Sequence, residues 1–198
     1  MPKNSKYETL TKRTKNIALL WKNSHGFAPD SVTNKLDIAM LDWQSELTNA
    51  LKIWIDKGIN MTTGELILAR TNMGAIVESW LKFFFCVYYE DYIKSPITKN
   101  NGEIIDPENA TFDKLKNFSS DKLWKDTNSE EYKFVNSIQY KRNAIHSFKY
   151  RDIGTPQDFL DDIDKLCDFV ELISDHLPPI EDYIDTFPSG YIFNEYYD

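Results

Sequence analysis

Apolar residues in this chain return every three or four positions over long stretches, and no two alternating apolar runs are joined by a tight turn. That period is the helical one, so the pattern predicts an all-α fold. A first helix is expected from Thr33 to Lys57, with Leu36, Met40, Trp43, Leu47, Leu51 and Trp54 as its stripe and Gly58 as its stop. A second, from about Thr63 to Ser95, is apolar nearly all round in its later half, as a helix buried among others would be. The turn formers of "SPITKNNGEIIDPEN" follow. Thr111 then opens a short helix through Phe118 that could continue to Trp124. Ser129, followed by Glu130 and Glu131, reads as the N-cap and acidic first turn of the next. Thr155-Pro156 starts the last, whose stripe is Phe159, Ile163, Leu166, Val170 and Ile173, and Pro178-Pro179 ends it.

An antiparallel bundle of four to five helices results, a single domain over residues 1–198 with its core at about 33–177. Outside the core stand a basic N-terminal arm (1–32) and an acidic, aromatic tail (178–198), which either packs across the bundle or docks on a partner.

Composition narrows the picture. The 198 residues are 41% hydrophobic and 14% aromatic, which suits a packed core rather than a disordered chain. No run of about 18 uncharged apolar residues is present, since even "WLKFFFCVYY" carries Lys82, and the first residues lack the apolar centre of a signal peptide. A cytoplasmic protein without membrane contact is expected. Cys86 and Cys167 sit in apolar helical patterns and read as buried thiols. His25 and His176 have no ligand-like spacing, so neither a metal nor a cofactor is expected.

The net charge of −8 argues against nucleic-acid binding over the whole surface, but the charge is uneven. Residues 132–151 hold Lys133, Lys141, Arg142, Lys149 and Arg151 and no acidic residue, whereas residues 157–198 hold twelve Asp or Glu against Lys165.

Within that basic island lies "QYKRNAIHSFKYRDIG", with Arg142 and His146 at helical spacing. At 100° per residue, Phe134, Ile138 and Ile145 form an apolar stripe, and Arg142 and His146 fall on one flank about 40° apart, near Gln139. Such a pair suits phosphodiester cleavage in RNA. An imidazole can take the 2′-hydroxyl proton or protonate the leaving oxygen, and a guanidinium can grip the phosphate bidentately. Cleavage gains from both an acid and a base, so a two-fold dimer that joins two motif helices would complete the site. An Arg/His pair one turn apart is also common on helices where it pairs with carboxylates, such as those of the following helix.

The block "YKRNAIHSFKYRDIG", with Arg142, Asn143 and His146, resembles the HEPN superfamily, as does its place late in a small helical chain after "GAIVESWLKFFF". The resemblance implies a metal-independent endoribonuclease, acting as a homodimer with a composite site, in antiviral defence or a toxin–antitoxin system with an antitoxin or similar partner. Arg142 and His146 would be catalytic, Asn143 would orient the site or hold the dimer geometry, and Glu78 and Lys82 would support it from the neighbouring helix. Lys133, Lys149 and Arg151 would contact RNA. The family spacing is wider than the three residues between Arg142 and His146. Lys141 would restore a fourth, and one residue of spacing turns the histidine by about 100°. A lysine grips phosphate less well than an arginine. Two other readings stay open: an inactive HEPN-like module that binds a nucleotide, RNA or protein, and a helical interaction protein whose aromatic tail docks elsewhere.

Overall fold

The computed structural model describes residues 3–178, with side chains from Lys6 onward; the acidic tail expected beyond Pro178 lies outside the described residues. The described chain is helical, with isolated bridges and no strand. In chain order the helices are α1 (Lys3–Lys22), α2 (Asp30–Ile38), α3 (Leu41–Asn49), α4 (Leu51–Lys57), α5 (Thr63–Val87), α6 (Tyr89–Tyr92), α7 (Phe112–Phe118), α8 (Glu130–Arg142) and α9 (Pro156–Asp175). The expected all-α class holds. No helix among the described residues is long and apolar enough to cross a membrane.

The centre is α5, which packs against α2, α3, α4, α7, α8 and α9. A capping box fixes its start: Thr62 accepts from the Glu65 backbone while the Glu65 carboxylate accepts from the Thr62 N–H. Met73, Ile76, Val77, Trp80 and Leu81 along it are fully buried. It ends at Val87, where Tyr88 leaves helical geometry (φ −94, ψ 34), rather than running on to Ser95. Ser129 caps α8 and Thr155 caps α9, as their sequences indicate. After Phe118 the chain turns instead of continuing helical to Trp124.

Two further expectations need correction. Residues 3–22 are not an arm outside the core. Tyr7, Leu10, Thr14, Ala18 and Trp21 recur at helical spacing and are buried, and they seat α1 on α3 and α9. The helix expected over Thr33–Lys57 is also three helices. Ala39 is extended (ψ 134), and Met40 follows at ψ 67. That break shifts the phase of the turns that follow, so Leu41, Gln44 and Thr48 are the buried positions of α3, and the expected stripe is regained only at Leu51. Met40 and Trp43 of the expected stripe stand in solvent instead, Trp43 at 63% exposure. The buried Gln44 amide is satisfied by the Ser79 hydroxyl, which donates to Gln44 Oε1 at 3.2 Å.

Candidate functional site

The motif does not lie on one α-helix. α8 ends at Arg142, a 3₁₀ turn carries Asn143–His146, and Ser147 then adopts a left-handed conformation (φ 58). At three residues per turn, His146 stands over Asn143 and about 100° from Arg142, not the 40° of a continuous α-helix. In this turn the buried apolar residue is Ala144, and Ile145 of the expected stripe is exposed.

Arg142 is fixed from both ends. Its stem lies on the bare backbone of Gly74, where an added Cβ would sit 2.4 Å from Arg142 Cγ and 2.5 Å from its Cβ. Its Nη2 donates to Glu78 Oε2 at 2.8 Å, and the guanidinium lies 6.0 Å from the centre of the Phe112 ring. Lys82 Nζ reaches the other carboxylate oxygen of Glu78 at 3.2 Å. Two cations thus share one carboxylate, and Arg142 stays partly open to solvent. His146 is exposed, with no side-chain partner among the described residues.

Gly74→Ala is therefore expected to displace Arg142 and to cost about 1–3 kcal/mol of stability through overpacking, despite alanine's better helix propensity. Thermal unfolding of the variant beside wild type checks this. An unshifted or raised Tm would show that Arg142 is not seated there.

The other residues expected at the site go elsewhere. Lys141 turns to α9, where its Nζ meets Asp162 Oδ2 at 3.0 Å, and it cannot stand in for Arg142. Asp162 also holds the fully buried Arg70 at 2.6 Å and Lys165 at 3.1 Å. Lys133 pairs with Glu130 at 2.7 Å, about 13 Å down the helix from Arg142, and is not joined to the motif. Gln139 faces α7, where its Oε1 accepts from Lys116 at 2.7 Å. Asn143 is half-buried, Lys149 exposed, and Arg151 lies over the Tyr140 ring at 5.1 Å.

Gly74 and Phe112 were missed by the sequence reading. A signal existed for the first, since a glycine inside an otherwise apolar helix usually marks a close packing contact.

Beside Glu78 and Lys82 runs a cleft of about 430 Å³, walled by Ile38, Met40, Trp43 and Leu47 of the α2–α3 corner. Burial pushes the Cys86 thiol up to about 12 and the Cys167 thiol up to about 11, so neither offers a thiolate at neutral pH. Among the described residues no three His, Cys, Asp or Glu side chains gather as a metal site. Comparison with family models, with characterised proteins and with solved structures finds no match to this chain.

Proposed function

We propose that this chain is a HEPN-type endoribonuclease that cuts single-stranded RNA by attack of the ribose 2′-hydroxyl, without a metal ion. It acts as a homodimer in the cytoplasm, in bacterial antiviral defence or toxin–antitoxin growth control. One observation carries the reading: an exposed imidazole ends the 3₁₀ turn that follows an arginine whose stem rests on Gly74 and whose head is oriented by Glu78.

In this mechanism the neutral His146 imidazole removes the 2′-hydroxyl proton, and O2′ attacks the adjacent phosphorus. The P–O5′ bond breaks, leaving a 2′,3′-cyclic phosphate. The departing 5′ oxygen takes a proton from the imidazolium of His146 of the partner subunit. Each proton transfer contributes about 10²–10⁴-fold. The Arg142 N–H groups not used by Glu78 bind the non-bridging oxygens and stabilise the charge that develops there. Lys82 keeps the local balance positive.

The cleft beside Glu78 supports the dimer. A second copy seated against Trp43, Met40 and Ile38 buries exposed apolar surface beside Glu78, the carboxylate that holds Arg142. Trp43→Asp is expected to halve the mass seen by light scattering and to lower cleavage by about 100-fold or more, as one of the two imidazoles is lost. A monomeric variant of undiminished activity would contradict the composite site.

A specific observation also favours the inactive-module reading. Arg142 is already charge-compensated by Glu78 before any RNA arrives. Such a module would retain single-stranded RNA intact, whereas the nuclease would shorten it; incubation of purified protein with labelled RNA separates the two.

A further inference from the structure

The turn that carries His146 leads into the most exposed aromatic residues among those described. Ser147 turns left-handed, the Phe148 N–H closes a tight turn on the His146 carbonyl at 2.7 Å, and Phe148 and Tyr150 then project with 104% and 87% of their surfaces in water. Rings left so bare, two residues apart in sequence, are unusual on a chain that buries most of its Phe and Trp. They alternate with cations: Lys149 stands between them, and Arg151 follows, its guanidinium 5.1 Å over the Tyr140 ring. The next carboxylate along the chain, the exposed Asp152, accepts from the Gly154 N–H at 2.9 Å. No acidic residue occurs from 132 to 151.

From this we infer that Phe148 and Tyr150 form a base-stacking platform for single-stranded RNA next to His146, with Lys149 and Arg151 tracking the phosphates. Exposed rings offer faces on which any unpaired base stacks, and interleaved cations follow the backbone without reading sequence. A duplex hides its base faces and gains nothing from the rings. The inference rests on the ribonuclease reading for its ligand, an RNA strand passing His146, and it adds the feature that selects unpaired strands. The loop sits at the end of a packed helix, so an entering strand meets the platform and the imidazole together.

The test uses a 12-nucleotide 2′-O-methyl RNA, which lacks the attacking hydroxyl and survives even if the enzyme is active. Its affinity for full-length wild-type protein is compared with Phe148→Ala, Tyr150→Ala and the double variant. Each ring removed is expected to weaken binding by roughly 5- to 150-fold. Phe148→Trp should retain affinity, with its emission quenched as RNA is added. Binding of a duplex of equal length should not respond to these changes. Both rings are exposed, so the variants are expected to fold as wild type, which circular dichroism checks.

Four outcomes overturn the inference: wild-type-like affinity of the double variant, no binding of single-stranded RNA by wild type, a changed oligomer mass at unchanged RNA affinity, or ring-dependent capture by anionic vesicles in place of RNA. Failure of the nuclease reading looks different. A protein that binds RNA through Phe148 and Tyr150 and never cuts it keeps the platform and loses the catalysis. One that cuts RNA at unchanged KM without the rings does the reverse.

Discussion

Replacing His146 with alanine is expected to slow RNA cleavage by about 10²–10⁴-fold while leaving the fold and RNA affinity in place. The two halves of that expectation come from different observations. The rate loss follows from the imidazole's proposed work on the 2′-hydroxyl and, through the partner, on the leaving oxygen. The intact fold follows from its position: His146 is exposed, ends a 3₁₀ turn and has no side-chain partner among the described residues. A surface change of this sort moves stability by about 0.5 kcal/mol at most. Single-turnover cleavage, thermal unfolding and binding of uncleavable RNA measure the three quantities separately. An unchanged rate would remove His146 from the mechanism. A large fall in Tm would mean that it holds structure instead.

Asp162→Ala should have the largest effect on stability, about 3–5 kcal/mol. The Arg70 side chain is 0% exposed, and in that substitution it loses the carboxylate with which it forms its ion pair among the described residues, as does Lys141. An uncompensated buried cation carries a severe desolvation penalty. For a chain of this size the expected fall in Tm is roughly 6–20 °C, measured by calorimetry or circular dichroism. A loss below about 1 kcal/mol would show that the cluster is solvated. The same carboxylate sets a pH dependence. Burial alone would raise its pKa, but hydrogen bonds and charge from Lys141, with Arg70 and Lys165, outweigh that and hold it below the usual aspartate value. A depressed folded-state pKa adds stability above the unfolded value of about 4 and loses it as pH falls through the folded one. Wild-type protein should therefore lose more stability between about pH 5 and pH 3 than Asp162→Ala does.

Much of the helical plan was legible because its signals are local. The Thr155-Pro156 start of α9 and the Ser129 start of α8 are side chains that cap their own backbone, and the structure has them so. What failed depends on neighbours. The α2–α3 break falls at Ala39–Met40, where no glycine or proline announces it, so the apolar spacing ran on through a kink and assigned Met40 and Trp43 to the wrong side. α1 escaped notice because two of its five buried positions among the described side chains are Thr14 and Ala18, too weak to mark a stripe.

At the site, the sequence brought Arg142 and Glu78 to attention, and the structure joins them at 2.8 Å. It could not show that α8 tightens to 3₁₀ geometry after Arg142, which is what moves His146 relative to the arginine. Lys141 was misplaced for lack of its partner. Asp162 interrupts the α9 stripe between Phe159 and Leu166 as Arg70 interrupts that of α5. A charge on an apolar face is the signal that a buried pair awaits, and reading both would have claimed Lys141 for that cluster.

The central claim is that Arg142 and His146 cut RNA through its own 2′-hydroxyl. The most direct measurement is the chemistry of the product ends after single-stranded RNA is incubated with wild-type protein in EDTA. The account predicts 2′,3′-cyclic phosphate and 5′-hydroxyl ends, and none of these products from His146→Ala. Intact RNA, or fragments ending in 5′-phosphate and 3′-hydroxyl, would contradict it.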